Sequence, residues 1–111
     1  MVEGGDIQLR TARNEAIFRD VNEALRAGHW PGEESAPIAF RCECGQLGCS
    51  RLIELTAKEY ERIRDHPRRF FVAPDHQVPE AETVIDRRDD YLVVEKREHA
   101  GRVAEATDPR S

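Results

Sequence analysis

The chain has 111 residues, 39% of them apolar and 35% charged, which suits one domain with a modest core under a heavily charged surface. Its 22 acids against 17 lysines and arginines leave a formal charge of −5, which argues against a long phosphate backbone as partner, because nonspecific nucleic-acid affinity comes from basic charge. No apolar run approaches a bilayer span, and Met1-Val2-Glu3-Gly4-Gly5-Asp6 has neither the basic flank nor the apolar segment of a secretory signal, so a cytoplasmic protein without a membrane partner is expected.

An α+β fold follows from the elements in chain order: a small antiparallel sheet, an N-terminal amphipathic helix and a second short helix, in a single domain over residues 1–111. Residues 1–9 read as loosely ordered. From Thr11 to Ala27 the apolar positions Ile17, Phe18, Val21, Ala24 and Leu25 recur at three- and four-residue steps, with Thr11 as N-cap and Gly28 as stop. Glu15 and Arg19 are spaced for an i, i+4 pair, and Arg13, Asp20 and Glu23 form the polar face. The apolar face is expected to pack on the chain's own sheet. If that face is not buried, Ile17, Phe18, Val21 and Leu25 would meet another protein. Residues 28–36 read as a loop in which Trp30 anchors on the core.

Strands over Pro37–Arg41 and Arg51–Leu55 form a ribbon whose tip holds the cysteines. Thr56-Ala57-Lys58-Glu59 is a capping box, opening a helix that runs to about Asp65 with Tyr60 and Ile63 inward, before Pro67 ends it. Arg62, Arg64, Arg68 and Arg69 read as a solvated helix face and its following turn. Further strands are expected over Arg69–Val72, Thr83–Asp86 and Tyr91–Lys96, the last two joined as a hairpin by the turn Arg87-Arg88-Asp89-Asp90. From Glu98 the tail is polar and expected to fray, with room for a short helix at Arg102–Ala106.

The segment Phe40–Cys49 holds all three cysteines, Cys42, Cys44 and Cys49, in a Cys-x-Cys-x4-Cys pattern. Zinc takes four soft or borderline ligands in a tetrahedron, and thiolates are among its preferred donors. Gly45 and Gly48 let the backbone double back and return Cys49 to the same centre. The cysteines also admit two other readings: small buried hydrophobes, or a redox pair of Cys42 or Cys44 with Cys49. For the fourth ligand the choice among His29, His66, His76 and His99 falls on His76, on the turn that leaves the strand Arg69–Val72. His66 is second, a water or Glu43 can also fill the position, and Asp75 is a candidate partner behind His76.

Arg13-Asn14-Glu15, Phe18-Arg19, Asn22-Glu23, the three cysteines, Ile53–Glu61, Phe71–His76 and Tyr91–Lys96 together give the chain a resemblance. It resembles a family of small, largely uncharacterised actinobacterial proteins with a Cys-x-Cys-x4-Cys knuckle and a downstream Pro-x-His turn. The family pattern has glycine where this chain has Asp75. The resemblance implies His76 as the fourth ligand and implies no activity. The expectation is a noncatalytic zinc-binding protein, regulatory or protein-interacting, with Cys42, Cys44, Cys49 and His76 on a structural Zn2+. The alternative is a thiol redox sensor that releases zinc on oxidation, and the third reading is a metalloenzyme with Glu43 as general base, although no His-Glu-x-x-His motif is present.

Overall fold

The computed structural model describes residues 3–28, 36–44, 46 and 49–110, with side chains in the first helix from residue 13 on. His29, Trp30, Gly45 and Gly48 lie outside the described residues. The elements are α1 (Glu3–Ala27), β1 (Pro37–Arg41), β2 (Leu52–Thr56), α2 (Ala57–Arg64), β3 (Arg69–Val72), β4 (Glu82–Arg87), β5 (Leu92–Lys96) and α3 (Glu98–Ala106). The α+β expectation holds, with two small antiparallel sheets in place of one.

β1 and β2 form the expected ribbon, registered from Pro37 opposite Thr56 to Arg41 opposite Leu52. Strand alternation sends Ile38, Phe40, Ile53 and Leu55 inward and leaves Leu52 outside. The second sheet has the order β3-β5-β4. β5 is central and almost wholly buried, as its unbroken Leu92-Val93-Val94 run requires. A bulge between Val84 and Asp86 takes Ile85 out of the ladder of the β4–β5 hairpin.

The capping box at α2 forms in both directions: Glu59 N–H donates to Thr56 Oγ1 at 3.1 Å and Thr56 N–H to Glu59 Oε1 at 2.9 Å. That fixes the entry of α2 and turns Tyr60 inward, where its ring stacks on Phe40 with centroids 4.4 Å apart. Phe71 meets both rings edge-on, joining the two sheets and α2 in one core.

Three expectations need correction. α1 begins at Glu3, so Thr11 lies inside the helix and does not cap it. Residues 98–106 do not fray: they form α3, which buries Ala100, Gly101 and Ala104 against the body. The third correction concerns the face α1 buries. Ile17, Val21 and Leu25 are 57%, 39% and 38% exposed, whereas Glu15, Ala16, Arg19 and Asn22 are buried. The buried positions still follow helical spacing, but three of the four residues are polar.

That inversion follows from what α1 packs against. Arg19 lies under the loop end at Pro67 and the C-terminal turn of α3, donating to the carbonyls of Pro67 at 2.8 Å and Ala104 at 2.9 Å. Ala104 lies in the last turn of α3, where its carbonyl has no intrahelical donor, and Pro67 lies in the turn between α2 and β3. A buried apolar face there would leave both carbonyls without a partner, at a cost of roughly 1–3 kcal/mol each. Arg19 is therefore not the partner expected for Glu15, which instead pairs with Lys96.

Candidate metal centre

β1 delivers Cys42 and Cys44, Arg51 receives the returning chain, and the end of β3 delivers His76. Cys42 N–H donates to Arg51 O at 3.0 Å, which extends the ribbon by one bond past β1. Gln46 then turns the chain, its N–H on Cys44 Sγ at 3.5 Å and its carbonyl accepting from Cys49 N–H at 3.1 Å. Ala73, just past β3, does two things: its N–H donates to Cys42 Sγ at 3.2 Å, and its carbonyl accepts from His76 N–H at 3.0 Å. The turn between them needs a left-handed residue, supplied by Asp75 at φ 71°. Asp75 is exposed, and among the described residues its carboxylate makes no bond to His76.

The result is that Cys42, Cys44, Cys49 and His76 offer four donor atoms within 4.8 Å of one another. His76 Nδ1 lies 3.6 Å from Cys42 Sγ and 3.6 Å from Cys49 Sγ. One ring nitrogen carries at most one proton, so a hydrogen bond accounts for only one of those contacts. A tetrahedral ion with metal–sulfur bonds of about 2.3 Å and metal–nitrogen bonds of about 2.0–2.1 Å separates sulfur from nitrogen by about 3.6 Å, which accounts for both. Cys42 and Cys44 are buried and Cys49 is half-buried, and all three are free of disulfides. The Cys44 thiol is pulled down to about 5, first by its hydrogen bond with Cys42 and then by Gln46 N–H, while that same hydrogen bond and burial push Cys42 up.

Of the other candidates, His66 and His99 are exposed and stand outside this cluster. Glu43 is fully buried and turned away from the sulfurs. Its Oε1 accepts from Arg64 Nη2 at 2.7 Å and Phe71 N–H at 3.2 Å, and its Oε2 accepts from Asn22 Nδ2 at 2.9 Å. Its own N–H donates to Phe71 O at 3.0 Å. Backbone and side chain of Glu43 together bracket the peptide of Phe71, so it closes the outer edge of β3 as a paired strand would. This disposes of Glu43 as ligand or general base. It also corrects Arg64, which is no part of a solvated basic face but the buried counter-ion of Glu43. Burial raises the Glu43 carboxyl, opposed by Arg64 and the Asn22 amide.

A second buried charge group lies beneath α1, where Lys96 at the end of β5 bonds both Glu15 and Glu82. Burial pushes Glu15 up to about 7 against the pull of Lys96, and lowers Lys96. Among the described residues the buried acids Glu15, Glu43 and Glu82 are balanced by the buried bases Arg19, Arg64 and Lys96. Sequence reasoning missed Asn22, Arg64 and Lys96. The available signal was the helical spacing of Glu15, Arg19 and Asn22, which marks a polar face as readily as an apolar one.

No helix among the described residues is long and apolar enough to cross a membrane. Compared with protein-family models, with curated proteins and with solved structures, the chain matches none.

Proposed function

We propose that the protein is a noncatalytic zinc-binding module, regulatory or protein-interacting, in which Cys42, Cys44, Cys49 and His76 hold a structural ion. One observation carries the reading: Nδ1 of His76 stands 3.6 Å from each of two sulfurs, the edge length of a thiolate–imidazole tetrahedron. Three sulfurs and one imidazole suit zinc better than magnesium or calcium, which take oxygen. Four protein donors fill the tetrahedron and leave no position for a reactive water, and Glu43 is committed to Arg64 and Asn22. Both points favour a structural over a catalytic metal. The face open to a protein partner is the outward pair Ile17 and Val21; Phe18 is covered by the guanidinium of Arg41, 4.6 Å from its ring centre.

The test is metal analysis of the purified parent beside Cys49→Ser and His76→Ala. The expected result is about one zinc per chain in the parent and clear loss in both variants. Full retention in His76→Ala removes it as a ligand, and a folded parent that takes up no zinc overturns the reading. The partial exposure of Cys49, beside two buried thiols, supports a second reading as a redox-responsive site, since oxidation follows access. Zinc release by peroxide at low dose separates that reading from a purely structural one.

A further inference from the structure

The side chains that hold α1 to the body at the ribbon tip converge on the residues that carry the cysteines. Asn22 is the centre of one link. Its Oδ1 accepts from Arg41 N–H at 2.8 Å, and its Nδ2 donates to Arg41 O at 2.9 Å and to Glu43 Oε2 at 2.9 Å. The amide thus spends both of its N–H groups and its carbonyl on residues 41 and 43, on either side of Cys42. Glu43 in turn stands between Cys42 and Cys44 in the chain, with its carboxylate also held by Arg64 and by Phe71 N–H.

A second link starts from Phe18, one turn earlier on α1. The Arg41 guanidinium lies over its ring at 4.6 Å, and Arg41 Nη2 donates to the carbonyl of Cys49 at 2.8 Å. Neighbouring side chains of one helix therefore reach the Cys42–Cys44 arm through Asn22 and the Cys49 arm through Phe18 and Arg41. Neither link has much apolar burial behind it, because Ile17, Val21 and Leu25 of α1 face outward. The links are also directional and hold only while both arms keep their positions.

On the reading that these cysteines and His76 hold zinc, we infer that metal occupancy governs the docking of the C-terminal half of α1. With the ion in place, the two arms are fixed and present Arg41 and Glu43 to Asn22 and Phe18. Without it, the arms separate, and Asn22 loses the geometry that satisfies its three bonds. The far side of the helix stays tethered by Arg19 to Pro67 and Ala104, and by Arg110 to Glu23 and Glu61, so α1 loosens at the ribbon tip before the fold is lost. Linkage requires the reverse effect as well: docked α1 tightens the site for its metal.

The experiment is hydrogen exchange read by mass spectrometry on the full chain, with saturating Zn2+ and after its removal by a chelator, with bound zinc measured in parallel. Peptides covering residues 14–28 should exchange faster by about tenfold without zinc, the factor for one lost hydrogen bond of ordinary net strength. Peptides covering β4 and β5 should hold nearly constant and serve as the internal reference. Asn22→Ala should still bind one zinc per chain, exchange rapidly over 14–28 even when loaded, and bind zinc about fivefold more weakly. Phe18→Leu, which stays apolar, gives up some volume and removes the aromatic face, should show the same pattern at smaller size. A parent that binds no zinc removes the metal reading and the coupling with it. A parent that binds zinc, yet keeps α1 equally protected without it or loses all elements together, overturns the coupling and leaves the metal reading standing. Unchanged zinc affinity in both Asn22→Ala and Phe18→Leu overturns it too.

Discussion

Replacing Glu15 by glutamine tests the buried charge group directly. Glu15 and Glu82 share one ammonium, that of Lys96, which is 2% exposed. Two carboxylates on one lysine carry one negative charge too many for a dry site, and burial accordingly lifts Glu15 from 4.5 to about 7, with Glu43 and Cys44 pushing the same way. The native state therefore keeps this proton at a pH where the unfolded chain has lost it. Its stabilising effect is complete below pH 4.5 and is lost as pH rises through 7. At about 1.4 kcal/mol for each tenfold change in proton affinity, the whole window is worth about 3 kcal/mol, most of it between about pH 5 and about pH 8. Glutamine has nearly the same shape, keeps an oxygen for Lys96 and does not titrate. Urea unfolding of parent and variant, both with zinc present, should show Glu15→Gln gaining on the parent by about 2–3 kcal/mol from pH 5 to pH 8. Titration of Glu43 and of the thiols occurs in both proteins and enters the difference only through the smaller coupling of those groups to Glu15. A difference that stays flat with pH, or moves in favour of the parent as pH rises, would refute the placement of Glu15 as a buried, proton-holding carboxyl.

Thr56→Ala removes the side-chain half of the capping box and should lower stability by about 1 kcal/mol in the same assay; no loss would mean that α2 is held by Tyr60 and its ring neighbours alone. Asp75 adopts φ 71°, so Asp75→Val should cost about 1–2 kcal/mol and weaken zinc retention, since the strained turn sets His76; unaltered melting and metal content would sink that argument. Gly101→Ala should be nearly neutral in melting temperature. The new methyl would meet Arg68 Nη1 at 2.5 Å, but that guanidinium is the mobile end of an exposed pair with Glu105, and a helical alanine returns about 1 kcal/mol. A loss of several kcal/mol would show that Arg68 has no room to move.

The parts of the fold legible in the sequence are those decided within a few residues. The Thr56–Glu59 box is one, because its four groups belong to one turn and need no partner elsewhere. The β4–β5 hairpin is another, since alternation and a polar turn are local signals. The cysteine cluster was legible through spacing, and His76 through its position on the turn that leaves β3. His66 looked comparable in the sequence and differs only in where the chain carries it: it closes α2, its N–H on the carbonyl of Ile63, and faces solvent. Only the second half of α3, at Arg102–Ala106, was legible as a short helix, because Arg97, its N-cap, makes no side-chain capping bond and because its buried residues are Ala100, Gly101 and Ala104, too small to register as an apolar stripe.

The face that α1 buries was not legible for a deeper reason. Hydrophobic periodicity assumes that the surface receiving a helix is apolar. Here that surface is largely polar: the peptide of Arg41, the carbonyls of Pro67 and Ala104, the ammonium of Lys96 and a carboxylate placed among the cysteines, with the ring of Phe70 under Arg19. Such a surface selects for donors and acceptors, so Arg19 and Asn22 face inward and Ile17 and Val21 face out. The apolar residues had set the expected face, and the receiving surface reversed it. The same reasoning explains why α1 responds to the ribbon tip. A helix seated on an oily sheet tolerates small shifts of that sheet, whereas one seated on paired polar groups loses several bonds together when the groups move by an ångström.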